Sequence, residues 1–195
     1  MKEALNICLL QFDLHWEDAI KNRTQIDAYL AEVTGADIIL LPELFSTGFS
    51  VASTHLAESM DGETVVWMKA QAKKKKAVLC GSVMIEDKGH VFNRLLWVEP
   101  NGRVLHYDKR HLFSLIEEDK YFTAGTERLI IEYEGWKICP MICYDLRFPV
   151  FARNDVGYDL LLFLANWPNP RIAAWDALLK ARAIENQAYV IGLNR

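Results

Sequence analysis

The chain has 195 residues, 51% of them hydrophobic and 25% charged, with a formal net charge of −4. That is the length of one globular domain, residues 1–195, with enough apolar material for a core. The acidic balance argues against a nucleic-acid surface, and no apolar run approaches the ~18 residues of a membrane helix. Residues 1–3 lead straight into a strand-like segment without a signal-peptide pattern. The dense basic run, 73–76, reads as a solvated helix C-terminus favoured by the dipole. Cys8, Cys80, Cys139 and Cys143 lie at or within strand-like segments without secreted-scaffold spacing, so a reduced cytoplasm is expected. Cys139 and Cys143 form C-x3-C with no following His or Cys pair, so no metal site is expected. With no Walker loop and no G-x-G-x-x-G, no cofactor is expected.

In chain order, residues 4–10 (ALNICLL) read as a buried strand. Residues 15–33 set Trp16, Ile20, Ile26, Tyr29, Leu30 and Val33 at helical spacing, and Gly35 ends that helix. Residues 37–41 (DIILL) are a second buried strand, ending at Pro42-Glu43. A helix over 63–76 and a strand over 77–86 follow. Strands over 91–99 and 103–107 flank the hairpin signal Asn101-Gly102. Residues 108–125 are polar, aromatic and irregular, the character of a functional loop. Strands over 129–133 and 136–142 flank Glu134-Gly135, a second hairpin. Residues 147–154 read as a short helix, 159–165 as a buried strand, 170–187 as a proline-opened helix and 188–193 as a last strand. Alternating strands and helices with inserted hairpins give α/β, or a mixed α/β sandwich with helices covering the sheets.

The stretch 136–149, WKICPMICYDLRFP, carries the chemistry. A thiol at the end of a buried strand stands where a parallel sheet presents reactive groups. A strand-to-helix turn also frees backbone N–H groups, which lower a thiol pKa and hold an oxyanion. A single cysteine there is more commonly an ordinary buried thiol. Its company changes the reading. Glu43 follows DIILLP, Lys109 follows VLHYD, and Cys143 follows KICPMI. If the fold gathers these strand ends, a carboxylate base and an ammonium flank a thiol that needs both. All five histidines precede Cys143, which excludes a papain-type order, and only His111 lies near this trio.

Three blocks, LPELFSTGF around Glu43, YDKRHLF around Lys109 and ICYDLRFP around Cys143, resemble the signatures of the nitrilase, or carbon–nitrogen hydrolase, superfamily. ANWP (165–168) and ARAIENQAYV (181–190) are most similar to its omega-amidase-like branch. The resemblance implies an α-β-β-α sandwich and a Glu43–Lys109–Cys143 triad. It also implies a second glutamate in EEDKYFTAG, where Glu118 matches and Glu117 stands beside it. It implies hydrolysis of a small-molecule amide, a 2-oxo dicarboxylate monoamide, through a thioester at Cys143, with the oxyanion held by Lys109 and the N–H of Tyr144. A homodimer or higher homo-oligomer is implied as well. Family members continue past the NR of GLNR, so the C-terminal strands are expected to be missing here. A nitrile or N-carbamoyl amino acid substrate, or a non-catalytic binding module, are the alternatives.

Around the trio, Arg147 either forks onto a substrate carboxylate or pairs with Asp145 or another acid. Trp167 either walls the pocket or packs in the core, and Phe45 is expected to desolvate the pocket. Glu185 and Asn186 are expected to fix the fold or a subunit contact.

Overall fold

Ile38 and Leu40 face one way and Ile39 and Leu41 the other, yet all four are fully buried. A strand apolar on both faces must be covered on both, and this alternation dictates the layers. The computed structural model describes residues 2–195. Strands β1 (Ile7–Leu9), β2 (Ile38–Leu40) and β3 (Val78–Asp87) run parallel. Strands β4 (His90–Val98) and β5 (Val104–Asp108) continue the sheet antiparallel, giving the order β1-β2-β3-β4-β5. A second sheet has the order β6-β7-β8-β9, built from β6 (Ile131–Tyr133), β7 (Trp136–Ile142), β8 (Leu160–Ala165) and β9 (Tyr189–Asn194). Here β6 pairs antiparallel with β7, while β7, β8 and β9 are parallel.

The two sheets face each other. Ile38, Leu40, Val78, Cys80, Leu95 and Trp97 from the first share a core with Ile138, Met141 and Phe163 from the second. On the outer face of the first sheet, Ile39, Leu41, Leu79, Leu96 and Val98 pack against Ile26 and Leu30 of helix α1 (Ala19–Glu32) and Val65, Met68 and Ala72 of α2 (Glu63–Lys75). The second sheet is covered by α4 (Ile172–Asn186) through Trp175, Leu178 and Leu179. The architecture is the expected α-β-β-α sandwich.

Local chemistry sets the element ends. The Asp18 side chain accepts from the Lys21 N–H at 3.0 Å and caps α1, so the helix starts later than the apolar spacing from Trp16 suggests. Lys73, Lys74 and Lys75 fill the last turn of α2, where the dipole favours cations. Both residues of the Glu134-Gly135 turn have positive φ, the geometry of a tight hairpin between β6 and β7. The irregular segment after β5 contains a 3-10 turn, Ser114–Ile116, and one short α-helix, α3 (Glu118–Tyr121).

One expected element is corrected. Residues 147–154 do not form a helix; instead Cys143–Arg147 make a 3-10 turn directly off β7. Pro149 removes an N–H, and the preceding residue is driven out of the helical region, as the φ of −115° and ψ of 83° at Phe148 show.

Candidate active site

The elements bring together the three strand ends. Glu43 follows β2, Lys109 follows β5 and Cys143 follows β7. The Lys109 Nζ lies 2.8 Å from Glu43 Oε1, and 3.0 and 2.9 Å from the two oxygens of Glu118. All three side chains are fully buried. Burial disfavours the Lys109 ammonium, but the Glu118 and Glu43 carboxylates and Cys143 outweigh it and raise its pKa above the ordinary value. The lysine therefore stays charged. Burial also raises the pKa of Glu118, against the pull of Lys109. Glu117 is exposed and pairs with Lys120 instead, so Glu118 is the acid in contact with the lysine.

Each carboxylate is held from several sides. Glu43 Oε1 accepts from Asn93 Nδ2 at 2.9 Å, and Oε2 accepts from the Asn166 N–H at 2.7 Å. Glu118 Oε2 accepts from the Phe113 N–H at 2.6 Å. Gly125 closes the loop behind them: its N–H donates to the Lys109 carbonyl at 3.0 Å, and a Cβ there would collide with the Asp108 carbonyl. A side chain at 125 would push on the strand end that carries the lysine.

Cys143 sits at φ +42°, in the left-handed region that a non-glycine residue avoids. Such a residue costs about 1–3 kcal/mol and persists only when its surroundings over-determine it. Asp145 supplies much of that constraint. Its Oδ2 accepts from the Ile142 N–H at 3.0 Å and from Tyr107 Oη at 2.6 Å, and its Oδ1 from the His111 N–H at 2.9 Å. His111 Nδ1 lies 2.8 Å from the same oxygen, with its ring stacked on Phe148 at 3.6 Å. From the other side, Arg182 of α4 donates to the Leu146 carbonyl at 3.1 and 2.7 Å.

The expectation of a lowered thiol pKa is overturned. Burial, then the Glu43 carboxylate, raise the Cys143 thiol well above its usual value, and Lys109 only partly opposes them.

Cys143 lines a cleft of about 230 Å³ together with Phe49, Phe113, Tyr144, Asn166, Trp167 and both Arg147 and Arg171. Arg147 does not pair with Asp145, whose oxygens are already taken; its guanidinium lies 5.2 Å over the Trp167 ring. Trp167 fulfils both readings, lining the cleft and packing on Trp175 at 5.4 Å. Phe45 is a correction. It is fully buried in the core beneath α2, against Trp67 and Gly81, and the aromatic wall of the cleft is Phe49, which also lies 4.9 Å from the Lys109 Nζ. Glu185 and Asn186 stay outside the site. Glu185 pairs with Arg182, and Asn186 accepts from the Asn154 N–H at 2.9 Å, both bracing the fold.

Sequence reasoning passed over Asn93, Asn166 and Arg171. Asn93 had a signal: a polar residue inside the buried strand FNRLLWV.

A carbon–nitrogen hydrolase family model matches residues 7–195. Omega-amidase YafV of Escherichia coli K12 is 49% identical over 192 residues, 98% of this chain and 75% of that protein. The 2-oxoglutaramate amidase of Bacillus subtilis is 36% identical over 194 residues, 96% of this chain and 75% of that protein. A CN-hydrolase superfamily protein from Xanthomonas campestris, solved with an arsenic adduct in its active site, matches with a TM-score of 0.95 at 48% identity. That match covers 98% of this chain and 76% of the other. These matches run along nearly all of the present chain and about three quarters of each relative. With its three signature blocks at three strand ends of one sandwich, the chain belongs to the carbon–nitrogen hydrolase family.

Proposed function

We propose that residues 1–195 form one carbon–nitrogen hydrolase domain that cleaves the terminal carboxamide of a short acidic ω-amide, of the 2-oxo dicarboxylate monoamide type. The reaction runs through a thioester and releases ammonia. The single observation that carries this reading is the cleft floor, where Cys143 stands in front of the buried Lys109–Glu43–Glu118 cluster and beside an arginine with no acidic partner among the described residues. The omega-amidase and 2-oxoglutaramate amidase relatives point the same way.

In this reading Cys143 is the nucleophile. Its raised pKa keeps it a thiol at neutral pH, so the proton must leave as the sulfur attacks. Glu43 takes that proton. The Cys143 sulfur bonds to the amide carbon, and the carbonyl oxygen becomes an oxyanion. Lys109 has three N–H groups. One goes to Glu43 and one is shared by the two Glu118 oxygens, which leaves a third for the oxyanion. The N–H of Tyr144, in the first position after Cys143, is the second donor, and losing such a donor typically costs about 3–4 kcal/mol. Glu43 returns its proton to the departing nitrogen, so ammonia leaves and the thioester remains. Glu43 then deprotonates a water that attacks the thioester, and the cysteine thiol is restored. Glu118 touches Lys109 and orients it.

Arg147 reads the substrate carboxylate and Trp167 supports it, which favours an acidic amide over a nitrile or a neutral amide. The protein works in a reduced cytoplasm, which its four free cysteines support. It works as a homodimer or higher homo-oligomer, supported by the exposed Val150 and Ile184. No helix among the described residues is long and apolar enough to cross a membrane.

The test is ammonia release by purified protein from 2-oxoglutaramate, a neutral amide of the same length and the matching nitrile. The acidic amide should give the highest kcat/KM. Arg147→Met should raise its KM steeply, by about 2–5 kcal/mol in binding, and matter far less for the neutral amide. A preference for the nitrile, or an equal loss on both amides, would overturn the assignment.

A further inference from the structure

Above the reacting thiol, the cleft carries a second cation that this mechanism does not use. Arg171 ends the 3-10 turn Asn169–Arg171 that leads into α4. Its guanidinium lies 5.0 Å over the Phe113 ring, as that of Arg147 lies 5.2 Å over Trp167. Both arginines line the same cleft of about 230 Å³ as Cys143, and no acidic residue lines it. Neither takes part in any ion pair among the described residues. The ring under Arg147 is also tied to the backbone of the second arginine, since Trp167 Nε1 donates to the Arg171 carbonyl at 2.9 Å.

A guanidinium laid over a ring keeps its N–H donors at its edge, free to meet a planar acceptor. Two such cations in one small cleft repel each other until an anion enters. One carboxylate satisfies one fork. A 2-oxo acid offers more: its ketone oxygen lies beside the carboxylate and also accepts, and the head group carries no donor. The 2-amino counterpart places an ammonium at that position, which accepts nothing and meets two positive charges.

We propose that Arg171 is a specificity-determining residue: with Arg147 it clamps the planar 2-oxo-carboxylate head of the substrate and turns away the 2-ammonium counterpart. This rests on the reading of the substrate as an acidic ω-amide.

Arg171→Met and Arg171→Lys are compared with the unaltered protein on 2-oxoglutaramate, glutamine and glutarate monoamide. A parallel experiment follows protection of Cys143 from iodoacetamide by 2-oxopentanoate, which carries the acid head without the amide. Arg171→Met should lower kcat/KM for 2-oxoglutaramate at least about tenfold, through KM, and reduce the oxo-to-amino preference by a similar factor. Glutarate monoamide, which lacks the oxo group, should lose far less. Arg171→Lys, which keeps the charge without the fork, should fall between, and it serves if the Met variant does not fold. Protection by 2-oxopentanoate should weaken in both variants. An equal loss on all three amides, or a loss in kcat at unchanged KM, would overturn the clamp. If the unaltered protein prefers neutral amides, the proposed function falls, and the protection experiment alone decides: protection that weakens in the variants upholds the clamp, and protection absent or unchanged overturns it.

Discussion

The floor and the rim of the cleft treat charge in opposite ways. On the floor, Lys109 meets two carboxylates, both held further by Asn93, Asn166 or the Phe113 N–H, and all three charges are fully buried. At the rim, Arg147 and Arg171 lie on aromatic rings, without an acid among the described residues to pair with. The difference separates two tasks. Buried charges left unpaired are costly, so the floor closes its own network and is ready before any ligand arrives. The rim cations keep some solvent and can wait unpaired for an anion that the floor would repel. On the proposed reading, a protein of net charge −4 draws its acidic substrate through the local field of these cations.

The largest test of this contrast removes one cation from each region. Lys109→Met leaves Glu43 and Glu118 facing each other without a counter-charge, and should cost about 3–5 kcal/mol of stability together with turnover. The loss should depend on pH with a definite sign. The folded pKa of Glu118 is already raised with Lys109 in place. A raised carboxylate pKa contributes stability below the ordinary glutamate value and loses it as pH rises through the folded value. Denaturant unfolding of Lys109→Met should therefore show stability recovering toward acid pH. Arg147→Met should unfold like the unaltered protein across the same range. If the two variants melt alike, floor and rim do not differ as described.

A second test asks whether the floor acts or only sits beside the thiol. The Glu43 charge raises the Cys143 pKa, so Glu43→Gln, by electrostatics alone, would yield more thiolate and faster alkylation. If Glu43 is the base, the same substitution slows iodoacetamide labelling of Cys143 and lowers kcat by about 10²–10⁴-fold. Cys8 is the internal control: it is half-buried, and burial alone raises its pKa. Cys80 and Cys139 should stay unlabelled in the native protein, since both are fully buried and burial pushes Cys139 up to about 12. Faster labelling in Glu43→Gln would remove Glu43 from the base role.

The floor was more legible in the sequence than the rim, for a physical reason. Glu43, Lys109 and Cys143 each follow an apolar run that reads as a buried strand, and strand ends gather where sheets pack. Glu118 came only with the family resemblance, because nothing local separates it from Glu117. Arg171 precedes an ordinary helix, and only the packing of Phe113 beneath it gives it a place in the cleft. Phe45 misled because LPELFSTGF holds two phenylalanines: Phe45 turns inward under α2 and Phe49 turns to the cleft. The thiol pKa failed for a related reason, since burial depends on tertiary layers that no turn pattern announces.

The smallest expected effect concerns the joint between the β5 and β7 ends. Asp145 touches neither Lys109 nor the cleft, yet it accepts from Tyr107, Ile142 and His111 at once. Burial and the Asp145 carboxylate hold the Tyr107 hydroxyl well above the usual phenol range, so it remains a donor. Asp145→Asn keeps the shape but replaces one acceptor oxygen with an NH2 group that must donate. Whichever way the amide turns, donors now face each other, either at the His111 N–H or at the Ile142 N–H. The cost should be about 1–3 kcal/mol of stability for the group left unsatisfied. If the Ile142 N–H loses its partner, the left-handed Cys143 is less firmly held and its sulfur less well aimed. The expected signature is a moderate fall in kcat with KM for the acidic amide nearly unchanged, because the rim arginines are untouched. A rise in KM with kcat preserved would mean that Asp145 shapes the rim and not the floor.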